Sequence, residues 1–347
     1  MNNNIFYIKE CIELAKKGAG YVSPNPLVGC IIVKNGEIIG KGYHKKFGEA
    51  HAEVNAINNA KKNGYSLTNS TLYINLEPCS HFGKTPPCAE LIIKEKISKV
   101  IIGIKDPNPE VNGKGIAKLR KAGIKVEYGI LRKECEELNK FFIKNITKKI
   151  PYVTLKVAQS IDGKIALKNN KSKYITCENS LKLVHKLRSE YDAVLIGKNT
   201  ALLDNPSLTV RLVKGRNPYR IVIDKDSKLP QHLKIFTDKD SDRTIIINSP
   251  LKNKNIPLIN ILKALHDLNI ASVLVEGGAN IFSQFVEKNL FDDIYFIIAP
   301  KIIGDGISAF RDFKITTLSK TKNLFLYNSF KSGVDLILHF KKFNESF

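Results

Sequence analysis

The sequence of 347 residues lacks the features that define several classes of protein. No apolar run approaches the roughly 18 residues that a membrane-spanning helix needs, so we expect no membrane partner. The first residues, Met1 to Ile5, lack the basic and then apolar layout of a signal peptide. The six cysteines are spaced too irregularly to suggest a disulfide framework. We therefore expect a cytoplasmic globular protein.

Acidic residues are also scarce relative to basic ones. The chain has 33 Asp and Glu against 55 Lys and Arg, which gives a formal net charge of +22. Such a charge is typical of proteins that bind nucleic acid. However, the basic residues are spread along the whole chain, and lysine, asparagine and isoleucine are all abundant. We interpret the charge as a general lysine bias and expect no nucleic-acid partner.

The length of the chain favours two domains over one. Strands and helices alternate along both halves, which predicts sheets covered by helices on both faces. A basic stretch at residues 144–149 marks a boundary between the halves. We therefore predict a first domain over residues 1–147 and a second over residues 148–347.

Local patterns predict individual elements. Asn35-Gly36 is a strong signal for a two-residue hairpin turn between strands at residues 28–34 and 37–42. Apolar periodicity predicts a single helix over residues 131–144. Residues 200–206 are interpreted as a loop.

The clearest chemical pattern involves His51, Glu53, Cys79 and Cys88. One histidine and two cysteines can hold Zn²⁺ and leave its fourth position open for water. A nearby glutamate that does not bind the metal can carry protons. Nucleobase deaminases show this pattern as H-x-E followed by P-C-x-x-C, but here eight residues separate the two cysteines. The pattern therefore predicts a zinc-dependent deaminase with an unusual cysteine spacing.

In this interpretation Glu53 takes a proton from water, passes it to the ring nitrogen, and later protonates the leaving amine. His81 lies between the two cysteines and is an alternative metal ligand. We place it in the pocket instead.

The second half does not reveal a reaction from its residues alone. Residues 275–279 are interpreted as a strand followed by the glycine-rich start of a helix. The backbone N–H groups at such a start can bind a phosphate. The segment lacks G-x-G-x-x-G, so a Rossmann domain is unsupported. An ordinary strand-to-helix turn explains these residues equally well.

Taken together, the motifs resemble those of the bifunctional riboflavin-biosynthesis deaminase/reductase family. The long cysteine spacing and the Thr-Pro-Pro-Cys ending separate this family from the tRNA and cytidine deaminases. In the first half the resemblance is carried by Pro24-Asn25-Pro26, His51-Ala52-Glu53, Glu77-Pro78-Cys79, Thr85-Pro86-Pro87-Cys88 and Asp106-Pro107-Asn108-Pro109. In the second half it is carried by Ser160-Ile161-Asp162-Gly163-Lys164, the run from Thr200 to Arg211, and Glu276-Gly277-Gly278.

The resemblance implies an α/β protein with two domains. The N-terminal one would be a cytidine-deaminase-like three-layer α/β/α domain, and the C-terminal one a dihydrofolate-reductase-like α/β domain. The first would deaminate a phosphoribosylated diaminopyrimidine, which is a small-molecule partner. The second would use NADPH to reduce the ribosyl side chain of the product to ribityl. The family also leads us to expect a homo-oligomer.

The resemblance further implies a set of site residues. Zn²⁺ would lie on His51, Cys79 and Cys88, with Glu53 as proton carrier. Tyr174 stands where the family often has tryptophan, and Arg188 and Arg211 could grip a phosphate in forked geometry. The deaminase substrate would contact Asn25, His44 and Lys84, and the reductase substrate would contact Ser172, Arg188, Leu208, Arg211 and Glu276. NADPH would contact Ala158, Tyr174, Thr200, Asp204, Gly278, Ala279, Asn280, Ile281, Phe282, Ser283 and Gln284.

Two alternatives belong to other functional classes. An RNA-acting deaminase could use a basic second half to bind nucleic acid, although clustered arginines and interleaved aromatic residues are absent from the sequence. A deaminase with an inert, structural second half is the other alternative. The presence of Arg188, Asp204, Arg211 and Glu276 weighs against it.

Overall fold

A computed structural model describes residues 3–80, 86–109, 111–172, 175–248, 256–312 and 315–343 of the chain. The chain divides into two compact units, Met1–Lys149 and Ile150–Phe347. Among the described residues, no helix combines the length and the apolar character that crossing a membrane would require.

The first unit is built on a five-stranded sheet in the order β2-β1-β3-β4-β5. β1 is antiparallel to both of its neighbours, whereas β3, β4 and β5 are parallel. Its elements are α1 (Asn3–Lys16), β1 (Gly29–Lys34), β2 (Glu37–Tyr43), α2 (Ala52–Lys62), β3 (Thr71–Leu76), α3 (Cys88–Lys94), β4 (Lys99–Ile104), α4 (Lys114–Lys121), β5 (Lys125–Tyr128), α5 (Arg132–Leu138) and α6 (Lys140–Lys148).

Alternation along the strands fills a core on each face of this sheet, because successive side chains point to opposite sides. On one face, Ile32, Ile74 and Ile102 pack with apolar residues of α2, α3 and α4. On the other face, Ile31 and Ile101 pack with residues of α1 and α5. The predicted three-layer α/β/α arrangement is therefore confirmed.

The predicted hairpin is also confirmed, since Asn35 and Gly36 join β1 and β2 and have φ angles of 51° and 82°.

The prediction of a single helix over residues 131–144 is wrong. α5 ends at Leu138, α6 begins at Lys140 and continues to Lys148. Asn139 between them has φ −104° and ψ 18°, and its side chain hydrogen-bonds the backbone of Leu27.

The second unit is built on an eight-stranded sheet in the order β10-β9-β8-β11-β6-β12-β15-β14. The first six strands in this order are parallel, and the last two pairings are antiparallel. Its elements are β6 (Tyr152–Ser160), β7 (Lys164–Leu167), α7 (Glu178–Glu190), β8 (Ala193–Gly197), α8 (Lys198–Asp204), β9 (Tyr219–Ile223), α9 (Lys234–Thr237), β10 (Thr244–Ile247), α10 (Leu258–Asp267), β11 (Ser272–Gly277), α11 (Ala279–Glu287), β12 (Asp293–Ala299), β13 (Gly306–Ser308), β14 (Leu324–Ser332) and β15 (Asp335–Lys342).

The centre of this sheet is buried on both faces, so β8 and β11 read as nearly continuous apolar runs. Leu262 and Leu265 of α10 and Phe285 of α11 pack in its main core. The loop predicted over residues 200–206 is wrong in its first part, because α8 extends to Asp204. The carboxyl ends of β8, β9 and β11 meet at one edge of the sheet, where ligands bind in open parallel sheets.

Candidate active sites

The predicted zinc ligands converge at one end of the first unit's sheet. His51 immediately precedes α2, Cys79 follows β3, and Cys88 is the first residue of α3. His51 Nδ1 lies 3.3 Å from Cys88 Sγ and 3.7 Å from Cys79 Sγ. All three ligand atoms lie within 4.8 Å of one another.

The chemistry of this donor set fits Zn²⁺. The Cys88 side chain and the Cys88 backbone N–H both donate hydrogen bonds to Cys79 Sγ, and these bonds and His51 lower the pKa of Cys79 below its ordinary value. A thiolate is the form in which cysteine binds metal. One nitrogen and two sulfur ligands are the set expected for a zinc site that keeps a fourth position open.

Glu53 lies beside these ligands in the first turn of α2. Its side chain is buried, with 3% of the residue exposed. Burial, together with the charge of Cys79, raises the pKa of Glu53 to about 7. A carboxyl group with such a pKa can both accept and release a proton near neutral pH.

Asn25 and His44 are brought together at the same site. Asn25 Nδ2 lies 3.2 Å from His44 Nε2, and His44 Nδ1 lies 3.2 Å from the Ala50 carbonyl oxygen. Since a carbonyl can only accept, we assign the proton of His44 to Nδ1, and Nε2 accepts from Asn25. The rings of His44 and His51 are 5.5 Å apart. Lys84 and the alternative ligand His81 lie outside the described residues.

Glu77, which belongs to the Glu77-Pro78-Cys79 motif, has a structural role that the sequence does not predict. Its buried carboxylate accepts hydrogen bonds from the backbone N–H groups of Asp106, Gly113 and Ile116, at 3.0 to 3.1 Å. These bonds tie the start of α4 to the strand end that leads to Cys79. No spacing rule could have revealed them, because the donors are backbone groups distant in sequence.

In the second unit, Glu276 is held by two basic side chains. Arg188 Nε and Nη2 donate to its two carboxylate oxygens at 2.6 and 2.9 Å, and Lys156 Nζ lies 3.1 Å away. Burial alone would raise the pKa of Glu276, but Arg188 and Lys156 hold it well below its ordinary value. Lys156 was not predicted as a site residue, although it lies in β6 near Ala158.

Thr209, which follows Leu208 in the chain, connects Arg211 to the cluster of Arg188, Glu276 and Lys156. Arg188 Nη1 donates to the Thr209 carbonyl at 3.1 Å, and Arg211 Nη1 donates to Thr209 Oγ1 at 2.7 Å. The forked face of Arg188 is thus engaged by Glu276, whereas Arg211 is exposed. Of the two arginines, Arg211 is the one with an accessible guanidinium for a phosphate.

His185 also belongs to this cluster, although the sequence analysis did not predict it as a site residue. Its Nδ1 accepts the backbone N–H of Arg211 at 2.9 Å, and 5% of the residue is exposed. Burial, and then the charges of Arg188 and Arg211, lower the pKa of His185 to about 4. The imidazole is therefore neutral at physiological pH.

Of the predicted cofactor residues, Thr200 and the run that begins at Gly278 meet at the turn between β11 and α11, whereas Ala158 lies in β6 and packs in a cluster with Val184 and Ile297. A Cβ added at Gly278 would lie 3.1 Å from Thr200 Oγ1, so this glycine allows a close approach of the two segments. Ser172 Oγ donates to Asp204 Oδ1 at 3.0 Å. This cradle, with a helix start at the carboxyl edge of parallel strands, fits the pyrophosphate of a dinucleotide. Tyr174 lies outside the described residues.

Not all side chains in the seven-residue run from Gly278 to Gln284 are accessible to a cofactor. Ile281 and Phe282 are buried in the main core of the unit. Ser283 Oγ donates to the Ala279 carbonyl and accepts the Arg311 N–H, each at 2.8 Å. Asn280 is exposed, and Gln284 Nε2 bonds its Oδ1. Ala279 is buried as well, and for these four buried residues a cofactor contact would involve the backbone.

Comparison with known proteins gives matches to both units. The family model described as the RibD C-terminal domain matches residues 151–338, and the cytidine and deoxycytidylate deaminase zinc-binding region matches residues 1–104. The chain is 41% identical to the riboflavin biosynthesis protein RibD of Aquifex aeolicus over 352 residues, covering 97% of this chain and 98% of the relative. It is 36% identical to RibD of Escherichia coli over 328 residues, covering 86% and 88%.

Solved structures are similar over the same extent. The diaminohydroxyphosphoribosylaminopyrimidine deaminase/5-amino-6-(5-phosphoribosylamino)uracil reductase of Thermotoga maritima is 39% identical, with a TM-score of 0.89 and coverage of 98% of this chain and 99% of its own. RibD of Acinetobacter baumannii is 33% identical, with a TM-score of 0.91 and the same coverage. Both similarities extend across the two units.

Proposed function

This chain belongs to the bifunctional RibD family of riboflavin biosynthesis, and we propose how its residues divide the two reactions. The protein is a zinc-dependent deaminase in its first unit and an NADPH-dependent reductase in its second. The deaminase substrate is the phosphoribosylated diaminopyrimidine named for the Thermotoga relative, and the reductase substrate is its deaminated uracil product.

The deaminase proposal is carried by one observation, the convergence of His51, Cys79 and Cys88 beside the buried Glu53. These three ligands would hold Zn²⁺. When bound, the ion would act as a Lewis acid that activates water. Glu53 accepts a proton from the attacking water and delivers it to the ring nitrogen. It then carries a proton to the amino group, which leaves as ammonia.

Asn25 and His44 orient the pyrimidine in this proposal. The neutral His44 ring and the Asn25 amide lie next to His51 and can hydrogen-bond a heteroaromatic ring. Lys84 is assigned to the substrate by the family resemblance alone.

The reductase proposal rests on the Arg188–Glu276–Lys156 cluster and the Gly278 cradle. NADPH supplies the hydride when bound. Glu276 is held ionised by its basic partners and accepts hydrogen bonds from N–H groups of the pyrimidine. The exposed Arg211 takes the substrate phosphate.

The predicted cofactor contacts stay part of this proposal. Thr200, Asp204 and the backbone from Gly278 onward border the cofactor, and Ser172 lies beside Asp204 where substrate and cofactor meet. Leu208 and Ala158 are assigned to the substrate and the cofactor by the family resemblance alone. A cytoplasmic setting and assembly into a homo-oligomer complete the proposal. The first is the expectation from the sequence pattern, and the second comes from the family resemblance.

Two assays on one preparation test this proposal. Ammonia release from the phosphoribosylated diaminopyrimidine measures the first reaction, and NADPH oxidation that requires the deaminated product measures the second. We expect both. Ammonia release without NADPH oxidation would remove the reductase, and release from RNA but not from the small substrate would remove the assigned substrate.

A further inference from the structure

Two buried asparagines hold the backbone of the segment that carries Asn25. Asn75 lies in β3 and Asn139 between α5 and α6, and they are 0% and 2% exposed. The Leu27 N–H donates to Asn139 Oδ1 at 2.8 Å, and the Leu27 carbonyl accepts from Asn139 Nδ2 at 3.0 Å and from Asn75 Nδ2 at 2.8 Å. The Gly29 N–H donates to Asn75 Oδ1 at 2.8 Å. We refer to these four bonds as the Leu27 clamp.

The clamp explains why a polar residue occupies position 139. Asparagine is a poor helix former, and a buried amide is costly unless both of its ends are hydrogen-bonded. Asn139 interrupts the helix that the sequence predicts, and both ends of its amide bond Leu27. An apolar residue would suit the surrounding core, so the amide serves the segment at Leu27 and not the helix.

The clamped segment leads directly to the deaminase pocket. Asn25 lies two residues before Leu27, and its amide reaches His44 Nε2 at 3.2 Å. The His44 backbone N–H donates to the Val28 carbonyl at 2.9 Å, and this bond joins the same segment to His44. The His44 ring in turn faces His51. A displacement of Leu27 would therefore move both proposed substrate contacts.

We propose that Asn75 and Asn139 are positioning residues of the deaminase. They fix residues 25–29 so that Asn25 and His44 meet the substrate in one arrangement, an inference that rests on the substrate contacts proposed for those two residues. Displacements of about 1 Å at a binding group are enough to cost large factors in rate. The deaminase therefore depends on α5 and α6, which lie beyond the residues 1–104 matched by the deaminase family model.

The test uses the full-length, zinc-loaded enzyme and the variant Asn139→Ala. We expect KM for ammonia release to rise about tenfold or more because the hydrogen bonds that fix the segment are lost, with a smaller change in kcat. Zinc stoichiometry and product-dependent NADPH oxidation stay unchanged. In hydrogen exchange, the amides of Leu27 and Gly29 exchange faster than in the parent.

Two further variants separate positioning from stability. Cys135→Ala truncates a buried side chain one turn before Asn139, and we expect it to lower stability while leaving KM unchanged. Asn139→Ser keeps one hydroxyl that can bond only part of the Leu27 backbone, and it serves if Asn139→Ala does not fold. We expect Asn139→Ser to raise KM less than Asn139→Ala.

Several outcomes would overturn the proposal. An unchanged KM in both Asn139 variants removes the positioning role, and loss of zinc in them would assign the clamp to the metal site instead. Asn25→Ala is measured in parallel. If it raises KM while Asn139→Ala does not, the clamp fails and the substrate contact stands. If Asn139→Ala raises KM and Asn25→Ala does not, the clamp stands and the Asn25 contact fails.

Discussion

Glu53 is the proton carrier in the proposed deaminase mechanism. Its carboxyl group is buried beside the ligand set but does not belong to it. We expect Glu53→Gln to bind zinc at full stoichiometry and to lose deamination by about 10²-fold to 10⁴-fold, because the amide cannot carry protons. Metal analysis and ammonia release measure the two effects. Full deaminase activity in Glu53→Gln would refute the proton-carrier role.

His185 provides a pH prediction for the second unit. Its pKa is about 4 in the folded protein, against about 6.5 in an unfolded chain. As pH falls from about 6.5 to 4, the unfolded chain takes up this proton first, so the unfolding free energy decreases by about 1 to 3 kcal/mol across that window. Below pH 4 this contribution changes no further.

The substitution His185→Asn tests this, since its amide oxygen can still accept the Arg211 N–H but does not titrate in this range. We expect urea unfolding of the variant to lose less stability between pH 6.5 and pH 4 than the parent. Parallel profiles for the two proteins would show that His185 is not the group responsible.

The turn from β11 into α11 is the proposed binding site for the cofactor pyrophosphate. Gly278 has an ordinary extended φ of −87°, so its requirement is steric, set by Thr200 Oγ1 at 3.1 Å from an added Cβ. Gly278→Ala forces Thr200 to shift within the cradle. We expect KM for NADPH to rise about tenfold, whereas ammonia release by the same protein stays at the parental value and serves as the internal control. An unchanged KM for NADPH would place the cofactor elsewhere.

The elements that sequence could predict are those whose pattern is set locally. Asn35-Gly36 adopts the positive φ angles of a two-residue hairpin turn, and the nearly continuous apolar runs of β1, β3 and β4 reflect burial on both faces of the sheet. The break at Asn139 could not be predicted, because its cause is the backbone of Leu27, over a hundred residues away. β14 was missed because nearly all of its residues are exposed, which leaves no alternation to detect.

The same division applies to the sites. Metal binding and proton transfer require particular residue types. The motif and its spacing were therefore enough to predict that His51, Glu53, Cys79 and Cys88 form one site. The neighbours that support them, such as Glu77, act through backbone N–H groups that no motif records. Their roles emerge only when the fold places distant backbone against a buried side chain.

Each proposed activity has its own sheet, core and site, so the two should be separable by substitution. Cys88→Ala removes a proposed zinc ligand, and we expect it to lose zinc and deamination while NADPH-dependent turnover of the deaminated substrate continues. Glu276→Gln leaves Arg188 and Lys156 buried without their counter-charge. We expect it to abolish reduction and to destabilise the second unit by about 3 to 5 kcal/mol, with ammonia release retained.

Both variants are assayed for both reactions, with zinc content and urea unfolding measured alongside. The buried Arg188–Glu276 pair is far more sensitive to loss of charge than a surface pair would be, so a surface control is informative. Lys168 and Asp305 form an exposed pair at 2.8 Å, and Asp305→Asn should change stability by less than about 1 kcal/mol. If either Cys88→Ala or Glu276→Gln lost both activities while remaining folded, the units would depend on each other for catalysis, and their separate assignment would have to be abandoned.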